Sequence, residues 1–281
     1  MKLLKNFLNM CALAVVGAMM IGCSSNDDND EATAEQQNGE ENSVEKSQML
    51  RTPLTFEAIE DGTISFSSDY YKSTVGPVTY RINGGDAQTI AAGTKVDIPV
   101  KANDKVAFFG DNKTYAFNLD RHSTFSCTGD CYIYGNIMSL ISSQNYATTT
   151  SLTEKYTFSG LFRSDGVEDN NHIKNHPTHI LVLPATTLTD DCYAQMFSGC
   201  TSLTKAPELP ATTLANGCYK FMFSSTSLSE APKLPAKTLA YGCYEYMFCN
   251  CKSITKAPEL PASKLASCCY NNSSLKIQYT A

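Results

Sequence analysis

Tryptophan is absent from this 281-residue chain, and histidine occurs only four times. The missing indole counts against a sugar-stacking groove. The unbroken apolar run from Cys11 to Ile21 is too short for a membrane-spanning helix, which needs about 20 residues. Basic residues are not in excess either, and the net charge is −6. Most of that charge sits near the N-terminus, so residues 49–281 carry only −1. Such a surface cannot neutralise phosphates, which excludes nucleic acid as a partner. No serine elbow, phosphate loop or HExxH motif occurs, so the chain offers no nucleophile, nucleotide or zinc-protease signature. The reading is therefore not an enzyme, and no cofactor is expected.

The N-terminus begins with Lys2 and Lys5, continues into the apolar run and closes on Gly22-Cys23. A basic start, a short apolar core and small residues before a break define a secretory signal over residues 1–22. The "MIGC" ending resembles the lipobox of bacterial lipoproteins. That resemblance implies lipidation at Cys23 and membrane contact through the lipid anchor only; two or more acyl chains make such an anchor stable. Residues 23–50 follow as an acidic, disordered tether. Asp27, Asp28, Asp30, Glu31, Glu35, Glu40, Glu41 and Glu45 oppose Lys46, and so little apolar surface cannot offset the entropy of ordering. Acids directly behind the cysteine resemble the export signal of Bacteroidetes outer-membrane lipoproteins, with a plain spacer as the alternative. The implied location is the outer membrane, exposed at the cell surface.

Residues 51–141 read as an all-β domain. The runs "PLTFEAI", "GTISFSS", "PVTYRIN", "TKVDIPV", "DKVAFFG", "TYAFNL" and "CYIYGNI" are β-prone and separated by turn residues. "RINGGDAQTI" predicts a hairpin, because Asn83-Gly84-Gly85 supplies the positive φ that a tight turn needs. Strands at this spacing predict a β-sandwich of immunoglobulin-like layout. The Asp/Asn/Gly turns lack the spaced acids and closing glutamate of a calcium loop. Cys127 and Cys131 form either a metal half-site or a disulfide, and an exported location favours the disulfide.

Residues 142–281 repeat themselves. Leu-Pro pairs begin at Leu183, Leu209, Leu234 and Leu260, each followed by Cys192, Cys218, Cys243 or Cys269 and then by Tyr193, Tyr219, Tyr244 or Tyr270. Met196-Phe197, Met222-Phe223 and Met247-Phe248 come next. Self-similarity at this period predicts a solenoid whose units bury their apolar sides by stacking. Leu214, Cys218 and Met222 recur at steps of four, the spacing of one face of a short helix. A "SLTKAPEL"-type stretch then leaves room for a short strand. The expected fold class is thus mixed: the sandwich, followed by an α/β leucine-rich-repeat solenoid of about four to five short coils. Repeated cysteines read as small apolar core residues. Lys205, Glu230 and Lys256, with Glu208, Lys233 and Glu259, predict columns of alternating charge from coil to coil.

The pattern "F-S-G-C-T-S-L-x(5)-L-P-x(7)-C-Y-x(2)-M-F", carried by Phe197, Gly199, Cys200, Leu203, Leu209, Pro210 and Phe223, resembles BspA-like leucine-rich repeats. That family implies surface proteins which adhere to host proteins or other cells, without catalytic residues. The implied partner is a host or bacterial surface protein, or a glycan. The candidate binding residues are the tyrosine column Tyr193, Tyr219, Tyr244 and Tyr270, together with Lys205, Glu230 and Lys256; inter-coil packing is the alternative role for the tyrosines. His172, His176 and His179 lie near Asp165, Glu168 and Asp169, a grouping able to hold a divalent ion, although Pro177 disfavours the helix that would align them. Two alternatives therefore stand beside an adhesive module. One is a structural envelope lipoprotein without a specific ligand, the other a metal-dependent enzyme using the histidine loop.

Overall fold

The computed structural model describes residues 42–68, 75–164, 172–264 and 266–269. Cys23, Tyr270, Asp165, Glu168, Asp169, the signal segment and most of the acidic tether lie outside the described residues. Residues 42–50, the end of the segment read as tether, are helical (α1), and Met49 is buried with Tyr134 and Val182.

Among the described residues ten strands follow: β1 (Leu54–Ala58), β2 (Gly62–Ser67), β3 (Val78–Ile82), β4 (Gln88–Ile90), β5 (Lys95–Val100), β6 (Lys105–Gly110), β7 (Thr124–Cys127), β8 (Cys131–Asn136), β9 (Ile173–Asn175) and β10 (Leu181–Val182). Alternation decides which side each strand buries. In β6, Val106, Phe108 and Gly110 point inward while Lys105 is exposed. The larger sheet runs β10-β8-β1-β6-β3-β4, with β9 also paired to β8; the smaller runs β5-β2-β7. Phe125 of β7 joins the two sheets, its ring centroid 4.8 Å from Phe108, 5.3 Å from Phe56 and 4.7 Å from Phe66.

The expected fold class is overturned. The strands form two unequal sheets, and the larger one recruits β9 and β10 from beyond residue 142. No α/β leucine-rich-repeat solenoid follows. Among the described residues, the repeats contain no α-helix, and the "SLTKAPEL"-type stretches contain no strand. Ser229 N–H donates to Thr204 O at 3.2 Å, a single bond where a ladder was expected.

The four-residue spacing has a different cause. Within each copy the chain makes consecutive turns, and every fourth residue takes a positive φ: Asp191, Gln195 and Gly199; Gly217, Phe221 and Ser225; Gly242, Tyr246 and Asn250. A left-handed residue at that interval stops the i→i−4 ladder of an α-helix from starting. The amides instead alternate between two destinations. Ala194 N–H donates three residues back to Asp191 O at 3.1 Å, and Met196 to Tyr193 O at 3.3 Å. Between them, Tyr193, Gln195 and Phe197 donate to Cys218 O, Lys220 O and Met222 O of the next copy, at 3.0, 2.8 and 2.9 Å. Each of these amides therefore has an acceptor. The same pattern links Phe158 to Cys192 at 2.8 Å, Tyr219 to Cys243 at 3.0 Å and Tyr244 to Cys269 at 2.9 Å. Equivalent residues of successive copies lie one above the next.

Stacked copies bring like side chains together. One file of rings runs Tyr115–Phe158–Tyr193–Tyr219–Tyr244, with centroids 6.2, 5.7, 5.8 and 5.9 Å apart. Another runs Phe125–Phe162–Phe197–Phe223–Phe248 at 5.8, 5.3, 5.6 and 6.1 Å. Both begin in the residues before 142, so one apolar cluster extends from the sheets into the repeats. Each fully buried aromatic contributes about 1.5–3 kcal/mol by leaving water. Packing between files, rather than helix propensity, holds these turns in place.

Candidate functional site

The described tyrosines of the column do not form a surface. Tyr193, Tyr219 and Tyr244 are 1%, 2% and 1% exposed, because inter-copy stacking needs large flat side chains in the interior. The Tyr193 hydroxyl is buried and has no hydrogen-bond partner among the described residues. Lys205, Glu230 and Lys256 are exposed, but the predicted charge columns do not close. Among the described residues no ion pair joins Lys205 to Glu230; Lys256 instead meets Glu259 of its own copy at 3.9 Å, and Glu208 pairs with Lys46 of α1. Without a strand ladder, nothing fixes those side chains across from one another.

The cysteines behave as core. Cys192, Cys218, Cys243 and Cys269 are buried free thiols, and desolvation pushes Cys192 up to about 12 and Cys243 up to about 11. Cys200 and Cys251 form a second column whose gap is filled by Thr226, with its hydroxyl 3.3 Å from Cys251 Sγ. Cys200 Sγ and Cys251 Sγ each donate to a backbone carbonyl, of Phe162 and Phe223, at 2.9 Å. Cys127 and Cys131, at the end of β7 and the start of β8, have adjacent buried sulfurs 2.6 Å apart.

The three histidines separate into two places. His172 Nδ1 lies 3.1 Å from Asp130 Oδ1. His176 and His179 stack on each other at 4.3 Å, with Tyr134 about equally close to both at 5.1 and 5.0 Å. His176 Nδ1 accepts from the N–H groups of Thr178 and His179 at 3.1 and 2.9 Å. Desolvation, then the neighbouring His179, lowers the His176 pKa. His179 Nδ1 lies 3.2 Å from Glu45 of α1. Among the described residues, no single centre unites all three imidazoles.

The surface that the repeats do present lies on the outer side of the turns. Phe221 and Tyr246 occupy equivalent left-handed positions, with φ of 53° each. Their partly exposed rings stack at 4.8 Å and 14°. Beside them, Lys220 Nζ and Glu245 Oε2 pair across copies at 2.7 Å, and the same ammonium is 5.9 Å from the Phe221 ring centre. Tyr241 is 58% exposed. In the preceding copies the row continues as Gln195, whose amide oxygen accepts from Arg163 at 2.6 Å. Asp191 stands in the neighbouring left-handed row with Gly217 and Gly242, its carboxyl pKa raised by burial. The repeating tyrosines read as binding residues are core, and the exposed Lys205, Glu230 and Lys256 lie outside this row. The usable signal was variation among copies: Gln195, Phe221 and Tyr246 differ in chemistry where Cys, Tyr and Phe stay fixed. This patch combines stacked aromatic rings with a charge pair that spans two copies. Comparison with known proteins gives no match for the chain, whether to a family model, a curated protein or a solved structure.

Proposed function

We propose that the protein is a lipid-anchored, surface-displayed binding module that uses the outer side of its turns to hold a macromolecular partner, a host or bacterial surface protein or a glycan. The observation that carries this reading is the part-exposed Phe221–Tyr246 stack with Tyr241 beside it. Aromatic side chains give large contact area at low entropic cost and dominate recognition surfaces. The two rings stand on backbone fixed by bonds to the neighbouring copy, so little ordering is left to binding. The "MIGC" ending and the acidic segment after it support display away from the membrane. Resemblance to BspA-like repeats supports the same adhesive role.

The test uses the full lipidated chain in vesicles, offered to panels of surface proteins and glycans. Retention of a partner is expected to fall at least tenfold in Phe221→Ser with Tyr246→Ser, and to fall further with Tyr241→Ser. Retention unaffected by all three substitutions would move the binding face elsewhere. Failure to retain anything would favour a structural envelope component.

A further inference from the structure

Three turns converge at one end of the sheets. Glu60 follows β1, Asp130 precedes β8 and His172 precedes β9. One donor atom from each lies within 4.8 Å of the others. The arrangement is held by backbone: Asp130 N–H donates to Glu60 Oε1 at 3.0 Å, and Cys131 N–H donates to His172 O at 3.0 Å. His172 Nδ1 sits 3.1 Å from Asp130 Oδ1, while the ammonium of Lys174 contacts Asp130 Oδ2. The site already gathers positive charge, since Asp130 has the Lys174 ammonium against one carboxylate oxygen and the His172 imidazole against the other.

We propose that Glu60, Asp130 and His172 bind a zinc-type divalent cation, which displaces the Lys174 ammonium from Asp130. One imidazole nitrogen and two carboxylate oxygens form a donor set suited to zinc, with the fourth position taken by water. Two carboxylates and a divalent ion are neutral together, whereas two carboxylates and one lysine leave a negative charge. Lys174 has a side chain 39% exposed, so it can swing into water. A part-exposed ion pair contributes at most about a fivefold factor to an equilibrium. Lysine is thus a competitor for the site rather than a barrier to it. Glu60 is exposed and can turn its free oxygen toward the ion. His176 and His179 take no part: they stack on each other against Tyr134, and the cluster of donor atoms holds only Glu60, Asp130 and His172. This proposal is independent of the binding face on the repeats.

The experiment is calorimetric titration of the chelator-stripped full chain with zinc chloride, accompanied by absorption spectra with cobalt(II). One equivalent is expected to bind. His172→Ala should weaken binding at least tenfold, Lys174→Met should tighten it by up to about fivefold, and His176→Gln should leave it unchanged. Circular dichroism checks the fold of each variant. If His172→Ala does not fold, Glu60→Gln on the exposed turn carries the same expectation. The proposal is overturned if neither the natural chain nor Lys174→Met takes up zinc, or if binding is undiminished in both ligand variants. It is also overturned by a thiolate-to-cobalt charge-transfer band, which would put the ion on the cysteines.

Discussion

The rings of Phe125 and Phe162 stack at 5.8 Å and 26°, and through this contact the core of the sheets passes into the core of the repeats. Phe162 also lies 5.3 Å from Phe197 of the next copy. Phe162→Ala removes the link and leaves a cavity, and should cost about 3–5 kcal/mol. Sheets and repeats are expected to unfold together in the natural protein. Urea denaturation followed in the far and near ultraviolet checks both; two separated transitions in the natural chain would contradict the continuous core.

Tyr193 tests the orphaned hydroxyl. Burying a polar group without a partner costs about 1–3 kcal/mol, and the equivalent position in the preceding copy is Phe158. Tyr193→Phe should therefore be neutral or stabilising, by up to about 1 kcal/mol, while Tyr193→Ala should be strongly destabilising. A clear loss of melting temperature in the phenylalanine variant would mean that the hydroxyl has a partner.

Left-handed positions predict opposite signs for two substitutions. Ser225 has φ of 59° and Gly199 has φ of 82° at equivalent places in adjacent copies. Glycine adopts this conformation without a steric penalty, so Ser225→Gly should stabilise by about 0.5–1 kcal/mol. Gly199→Ala drives a new methyl group into the Ser164 carbonyl oxygen and should destabilise by about 1–3 kcal/mol. Thermal melts of the two variants moving in the same direction would refute this.

Acid should weaken the fold through His176. Its pKa is lowered in the folded chain, so between the folded value and the unfolded value of about 6.5 the unfolded chain binds more protons. The contribution of this residue is full above about pH 6.5 and declines as pH falls toward the folded pKa. Protonating Nδ1 also breaks its bonds from Thr178 and His179. Stability measured from pH 8 down to 5 should fall less steeply in His176→Gln; parallel curves would count against it.

Cys127 and Cys131 are free thiols with adjacent sulfurs; on the proposed surface location they should oxidise to a disulfide, making the protein lighter by two hydrogens than its reduced form, as intact mass reports. The thiols of Cys192, Cys218 and Cys243 should stay unmodified by alkylating reagents until the chain unfolds, whereas the exposed Cys268 should react at once. Rapid labelling of Cys218 would be incompatible with its burial.

Strands were legible where alternation was clear, as in "DKVAFFG" and "TKVDIPV", and the Asn83-Gly84 hairpin was legible from its turn residues. β7 was missed because four residues beside two cysteines look like part of a turn. "TYAFNL" was misread as a strand, although only Ala116 makes a bridge, to His122. Tyr115 there is a core ring whose hydroxyl donates to Leu140 O at 2.7 Å. The repeat period was read correctly but assigned to a helix. A step of four fits both an α-helical face and a chain of turns reset by left-handed residues, and only the glycines at 199, 217 and 242 hinted at the second. The surface patch was not legible because its positions vary between copies, whereas the invariant tyrosines of a stacked structure are interior.

Alternation of amides between a local acceptor and the next copy sets a rule for how such a chain can grow. A whole copy added or removed leaves every remaining amide with an acceptor of the same kind. A single residue inserted between Asp191 and Gly199 would swap the two destinations for everything after it. Length change should thus be tolerated just past the last left-handed residue of a copy, between Ser225 and Leu228, where the second copy is already one residue shorter than the first. Inside the turns the chain works as a ruler, and its lineage can lengthen only by duplicating whole segments.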